Sequence, residues 1–379
     1  MSKNLKRSKV VWGGLFLILF PVLWCQAVVE PVLIDNPKPT HYEKNFVPIE
    51  LIKEIPLDFS EDNFFARPTE LKVDRKGNIF VYDDILNKIL IFDPNFNFVR
   101  SFGQVGVGPG DWSRFDTGIK HILIGKDGNL YVSDPNLKKI LIFNNKGQFL
   151  KDFRLQINSI LDFFPVMDER GTYYINSISG GAVDILDKNF KNKTTLLSHD
   201  DYMKFIIHLP ISTSKFKTKY TSKGKNYMSI TSDSMNTFYD LLPNNGLFIY
   251  LANSSSFYIF KNGKIIKSFN ILPAETLEYY RERIERLKKK LKSKSFYSAM
   301  IQYMFLDKDS ENFFYFVGHA PSTKIKKTYI YQMDFNGQLK TVYETNNGAN
   351  FYDRWKDYFY GIGTDCVRIY KIKNSKVSN

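Results

Sequence analysis

Two cysteines in 379 residues, Cys25 and Cys366, leave too little thiol for a disulfide framework or a cysteine-based zinc site. Histidine is scarce too. His41, His121, His199, His208 and His319 are all there are, and the nearest two stand nine residues apart. That spacing excludes HExxH and other close ligand pairs. No GxSxG elbow occurs, so the nucleophile of an α/β-hydrolase is missing. Acid is in deficit, with 39 Asp and Glu against 53 Lys and Arg, for a formal net charge of +14. The excess is spread out, as in "KNFKNK", "KFKTK" and "KIKK", without a recognition motif. It reads as a solvated basic surface suited to anionic lipid or polysaccharide, and argues against nucleic acid.

What is abundant is aromatic. Phe (33) and Tyr (23) bring the aromatic share to 16%, which favours strands, where such side chains pack on a pleated surface. The N-terminus has a different character. "MSKNLKRSK" holds Lys3, Lys6, Arg7 and Lys9 and no acid, and the apolar run Val10 to Trp24 follows, then "CQA". A basic stretch, a short apolar stretch and a small-x-small site make an export signal, cut after about Ala27. Two other fates fit the same residues. The apolar run extended to Val29 reaches the roughly 20 residues of a spanning anchor, and Cys25 could carry a lipid, although Trp24 before it is large for that role. In all three cases the basic flank stays inside and the remainder is periplasmic, extracellular or membrane-anchored on the non-cytoplasmic side. Removal of residues 1–27 takes four positive charges and leaves about +10. Residues 28–46, with "PVLIDNPKPTHY", are expected as a linker from a membrane anchor or as a strap on the propeller, and residues 47–379 as the folded domain.

An internal repeat organises that domain. "DRKGNIFVYDDILNKILIFDPNFNFVRSF" (74–102) aligns without gaps on "GKDGNLYVSDPNLKKILIFNNKGQFLKDF" (125–153), an offset of 51 residues. Gly77-Asn78 falls on Gly128-Asn129, Asp83 on Asp134, and "KILIF" on "KILIF". Each unit reads as short β-branched and aromatic strands divided by Gly- or Asn-bearing turns. With "TELKVD" or "KHILIG" in front, the unit has four strands. Weaker copies follow at 167–190, 244–269, 312–343 and 357–373. "VPIELIKEIPLDF" (47–59) has strand character and no partner of its own, so in a closed ring it adds the outer strand to the last unit. About six four-stranded units predict an all-β fold, a six-bladed β-propeller, in which radial repetition shortens exposed sheet edges.

The stretch from Phe65 to Phe153, with "RPTELKVDRKGNIFVYD", "KILIF" and "FGQVGVGPGDW", resembles the NHL-type repeat of bacterial six-bladed β-propellers. Lys88 and Lys139 stand where that pattern usually has Arg, and Trp112 where it usually has Phe. The fold that the resemblance implies hosts both binding modules and enzymes; the absence of a recognisable catalytic constellation, with the extra helix described below, favours a ligand- or protein-binding propeller. Its alternative is an enzyme of lyase or lactonase type holding a divalent metal on the axis, as some similar propellers are. No motif supports a metal here.

The glycines of "FGQVGVGPGDW" (103, 106, 108, 110) raise the idea of a phosphate loop. A phosphate loop needs a following helix whose amides face the anion, and "DTGIKHILI" after this one reads as a strand. A linker between blades is expected instead, with Gly106, Gly108 and Gly110 at unusual backbone angles. One segment breaks the β pattern. Leu277, Tyr280, Ile284, Leu287 and Leu291 recur at helical spacing within 272–295, with Glu275 and Glu278 early and lysines 288–290 late. It predicts an amphipathic helix inserted in the propeller, packed on its rim or presented to a partner or a membrane surface. Four residues are candidates for ligand binding through the loop face: Arg67 before the first blade, Asp83 and Asp134 at equivalent strand ends, and His319 after "FFYFVG". For the two aspartates, hydrogen bonds within each hairpin, helped by Lys88 and Lys139, are the competing expectation. The partner is a protein, a glycan or a small molecule.

Overall fold

In the computed structural model, the residues described are 32–34, 46–60, 64–114, 122–125, 127–134, 136–154, 166–167, 172–177, 182–187, 193–197, 219–222, 225–228, 237–241, 247–251, 256–261, 264–271, 303–306, 313–319, 328–346, 349–364 and 366–373. Among them every regular element is a strand. Two strands precede the first repeat, β1 (Val32–Ile34) and β2 (Val47–Pro56). Blade one is β3 (Pro68–Val73), β4 (Ile79–Asp83), β5 (Lys88–Phe92) and β6 (Phe98–Phe102). Blade two is β7 (Ile122–Ile124), β8 (Leu130–Asp134), β9 (Lys139–Phe143) and β10 (Phe149–Arg154). Blade three is β11 (Val166–Met167), β12 (Tyr173–Ser177), β13 (Ala182–Leu186) and β14 (Lys193–Leu197). A hairpin, β15 (Lys219–Ser222) with β16 (Lys225–Met228), separates it from blade four.

Blade four is β17 (Thr237–Leu241), β18 (Leu247–Leu251), β19 (Ser256–Lys261) and β20 (Lys264–Ile271). Blade five is β21 (Tyr303–Leu306), β22 (Phe313–His319), β23 (Thr328–Asp334) and β24 (Leu339–Thr345). Blade six takes β25 (Asn350–Trp355), β26 (Tyr358–Ile362) and β27 (Cys366–Ile372) from the C-terminal end of the chain. Its outer strand is β2, antiparallel to β27 from Ile49 opposite Ile372 to Pro56 opposite Cys366. The expected closure is present: the first long strand completes the last blade. The first strands of the blades lie side by side, β3 by β7, β11 by β17, β17 by β21, β21 by β25, and β25 by β3 again. Within the stretch expected as a linker or a strap, Val32–Ile34 pairs in parallel with β20, Val32 opposite Phe269 and Ile34 opposite Ile271. The amphipathic pattern at 272–295 and the signal at 1–27 lie outside the described residues.

The continuous apolar runs have a packing reason. "IFVYD" is buried at all five positions, because a blade is covered on both faces by its neighbours. Ile79 and Val81 face blade six, joining Leu71, Phe92, Tyr360 and Ile369. Phe80 and Tyr82 face blade two, joining Ile89, Trp112, Val132 and Leu141. Burying each such side chain contributes roughly 1.5–3 kcal/mol. Carboxylates also join the innermost strands. Asp353 of β25 accepts the Val73 N–H at 2.7 Å and Glu70 of β3 accepts the Ile122 N–H at 2.8 Å, both bonds buried. Inner strands have an unpaired edge, and a buried amide there needs an acceptor.

Two ends of the ring follow from this topology. The loops between second and third strands and the connections between blades share one, called the loop end here. The hairpins between first and second and between third and fourth strands share the other, the turn end.

Candidate functional site

All four candidate residues belong to the loop end, but they are not equivalent there. Asp83 is fully buried at the close of β4. Its Oδ2 accepts the N–H groups of Ala66 (2.6 Å) and Arg67 (2.7 Å). Its Oδ1 accepts those of Ile85 (3.1 Å) and Leu86 (2.9 Å). Asp134 is equally buried. It accepts the Ser113 N–H at 2.6 Å and Oγ–H at 2.8 Å, and the Leu137 N–H at 2.9 Å. Each carboxylate therefore fastens the incoming blade connection to the turn after its own strand, and its oxygens are used within the fold. Hydrogen bonding is the structural role expected of them, with one correction. Lysine takes no part: Lys88 is exposed, and Lys139 reaches Asp152 at 3.7 Å and the Gly108 carbonyl at 3.4 Å.

The two connections so held have the same geometry without sharing a residue. In one, Phe65 N–H donates to Leu57 O and Ala66 N–H meets Asp83; in the other, Trp112 N–H donates to Gln104 O and Ser113 N–H meets Asp134. Phe65 and Trp112 are both buried. The indole Nε1 of Trp112 donates to Asn87 O at 3.1 Å. Sequence reasoning missed this correspondence. Its one readable signal is an aromatic residue followed by a small one, before a strand pair ending in Asp.

The glycines serve this packing rather than a phosphate. Gly103 has φ +120°, and a Cβ there would meet the Trp112 ring. Gly106 and Gly108, expected at unusual angles, are needed instead for room: a Cβ on either would press on the Asp111 carboxylate. That carboxylate accepts the Gly108 N–H at 3.2 Å.

The described residues exposed at the loop end include large apolar side chains among polar ones such as Lys88, Gln104, Arg114 and Asn136. Phe64 (50%), Ile85 (53%), Val105 (46%) and Val107 (77%) all face solvent. Beside them Arg67 is fixed from several sides. Its N–H is held by Asp83, its carbonyl accepts the Asp84 N–H at 3.2 Å, and its Nε donates to Asp84 Oδ1 at 2.7 Å. That bond and the Asp84 charge raise the guanidinium's affinity for its proton further. His319 closes β22, the second strand of blade five, opposite Thr328. It thus ends the strand matching the one that Asp83 ends in blade one. Among the described residues no three His, Cys, Asp or Glu side chains gather as a metal site. Burial pushes the Cys366 thiol and the Tyr82 phenol up, away from reactive anions.

A family model described as a 6-bladed beta-propeller, DUF5128, matches residues 46–317. No curated protein matches the sequence. Among solved structures the chain is similar to a member of the duf4221 family from Bacteroides vulgatus, with TM-score 0.53, 11% identity, and coverage of 87% of this chain and 99% of that one. It is similar also to a proposed exported protein from Bacteroides fragilis, with TM-score 0.51, 13% identity, and coverage of 91% and 99%. A virginiamycin B lyase from Staphylococcus aureus follows at TM-score 0.46 and 11% identity, covering 86% and 100%. At these identities the likeness is one of fold.

Proposed function

Since the chain belongs to the DUF5128 family of six-bladed β-propellers, we propose that it is an exported binding module that takes a protein, glycan or small-molecule ligand at its loop end. One observation carries this. The buried carboxylates of blades one and two are taken up within the fold, whereas Phe64 and Ile85 stand exposed on the segments that carry the Arg67–Asp84 pair, and Val105 and Val107 are exposed in the following blade connection of the same end. Exposed apolar groups clustered on one face mark interaction sites. Arg67 adds a charge whose position is set before a ligand arrives, which lowers the ordering cost of binding. The export pattern of Lys3, Lys6, Arg7 and Lys9 ahead of the apolar run supports the exported part of this reading.

The test is a screen of the purified chain against peptide, glycan and small-molecule arrays, repeated with Val107→Asp, Phe64→Asp and Leu150→Asp. Leu150 is exposed on outer strand β10, away from the loop end. Ligands lost with the first two substitutions and kept with the third support the reading. Ligands indifferent to both loop-end changes, or an array without hits, overturn it.

A further inference from the structure

We propose that the ligand of the loop end is an acidic, aliphatic segment of a partner protein and that it closes over Val107, a step that rests on the loop-end binding argued above.

The first observation is a contrast between two connections of one geometry. Leu57 to Phe65 and Gln104 to Trp112 are both steps of eight residues, each closed by an N–H donating back to the first residue's carbonyl, at 2.6 and 3.0 Å. Counted from those closures, Val105 stands where the other connection has Asp58, and Val107 where it has Ser60; both of those polar residues are exposed. The shared geometry therefore asks for no apolar residue at either place. Phe59 of the first connection turns inward onto Phe65, Phe92 and Phe98, with ring centroids 5.0, 5.2 and 5.4 Å away. Val107 instead is 77% exposed, more than any other large apolar residue described.

Val107 is also firmly held, which is the second observation. Val105 bridges Trp112 in parallel, the Gly106 N–H donates to Trp112 O at 3.0 Å, and the Asp111 N–H donates to Gly108 O at 3.2 Å. Gly108 gives its own N–H to Asp111 Oδ2, and its carbonyl accepts the Lys139 ammonium at 3.4 Å. A stiff β-branched side chain on a braced backbone costs little to order, and removing it from water is favourable.

Charge selects the partner. Lys88 follows Asn87, whose carbonyl takes the Trp112 indole N–H, and Arg114 follows Ser113, which Asp134 holds; both cations are exposed. The neighbouring carboxylates are engaged: Asp111 on Gly108, the fully buried Asp134 on Ser113 and Leu137, and Asp84 on Arg67 at 2.7 Å. The charges left for a ligand beside Val107 are positive, which suits carboxylates. A side chain standing out this far does not line the kind of cleft that encloses a small molecule, and aliphatic groups offer a glycan's hydroxyls no hydrogen bond.

The purified full-length chain is tested on decapeptides combining Leu, Ile or Val with Glu or Asp, beside the same set with Lys in place of every acid. Binding is expected to the acidic set, weakening several-fold as salt rises. Val107→Ser, which installs the residue of the equivalent connection, should weaken it about tenfold or more. Arg114→Gln and Lys88→Gln should each weaken it several-fold, while Leu150→Ser on β10 leaves it unchanged. An unchanged thermal melt for Val107→Ser separates the loss from any folding effect. Equal binding of the basic set, or indifference to Val107→Ser, overturns the proposal. Ligands found among glycans or small molecules alone overturn it too but leave loop-end binding standing, whereas a search without hits of any class ends both.

Discussion

Blades one and two carry the same "KILIF" strand 51 residues apart, yet they solve the same packing problem with different chemistry. In blade one Asp83 collects four backbone amides; in blade two Asp134 collects two amides and a hydroxyl. In blade one the connection is sealed by Phe65, in blade two by Trp112 with a hydrogen bond of its own. Lys88 is exposed, whereas its counterpart Lys139 is buried against Asp152. A repeat thus conserves which backbone groups must be satisfied, and leaves open which side chains satisfy them.

The largest break in this comparison comes from the aspartates. Asp83→Ala strands four amides at a closed loop end and is expected to destabilise by about 3–5 kcal/mol. Asp134→Ala, with fewer amides released and a hydroxyl free to turn to water, is expected to cost about 1–2 kcal/mol less. Urea unfolding of both variants checks the order. If Asp134→Ala proves as costly as Asp83→Ala, the number of amides held is not what sets the strength of the clamp.

Trp112→Phe comes next. It removes the bond to Asn87 O and part of a fully buried ring, for about 1–2 kcal/mol. Thermal melting should show the loss, and near-ultraviolet circular dichroism should lose the signal of a fixed indole. An unchanged melt would mean that the connection is held by its aspartate alone.

The lysines sharpen the contrast at still smaller effect. Lys139 has 2% of its side chain exposed and Asp152 has 34%, so a half-solvated pair stabilises little. Lys139→Met is expected within about 1 kcal/mol of the parent and on the stable side, because an apolar chain of similar length fits a buried site. Lys88→Met should stay within about 0.5 kcal/mol. A clear loss with Lys139→Met would show that its reach to Gly108 O, and not the repeat, holds the 103–113 connection in place.

These differences show what could be read in the sequence. The offset of 51 placed β4, β5, β8 and β9, since strands buried on both faces must be apolar throughout and such runs are conspicuous. The closure by 47–56 was legible because a strand without a hairpin partner needs one elsewhere. The match between connections 57–66 and 104–113 was not legible, since backbone amides define it and the two stretches share no residue at equivalent places. For 28–46 the sequence offered a strap or a linker without choosing, and the strand at Val32–Ile34 could not be told from a linker for a related reason: a parallel pair has no turn to announce it. Of the three candidate residues whose burial is described, Arg67, Asp83 and Asp134, Arg67 is the one the loop end presents to solvent, and exposed Phe64, three residues before it, was marked by no motif.

The smallest effect concerns the hairpins of the turn end, where one geometry occurs with and without a charge. Asp93 Oδ1 accepts the N–H groups of Asn95 and Asn97 at 2.9 and 2.8 Å. Asn144 accepts those of Lys146 and Gln148 at 3.0 Å, and Asp334 those of Asn336 and Gln338 at 2.8 and 2.9 Å. Burial pushes the Asp93 carboxyl up, but the bonds from Asn97 and Asn95 outweigh it and hold the group below its ordinary value. For Asp334 burial is likewise outweighed, by Gln338, Lys340 and Asn336. A lowered carboxyl contributes stability that is present above its unfolded value, near 4, and is lost as pH falls through the folded one. Asn144 has no such step. Amide protection at Asn97 and Gln338 should therefore fall in acid relative to neutral pH, while that at Gln148 stays level, and Asp93→Asn should level Asn97 as well. Both groups are well solvated, so the change is small, and residue-resolved hydrogen exchange is the measurement able to see it. Equal acid loss at Gln148 would place the cause in the ring as a whole and not in the turns.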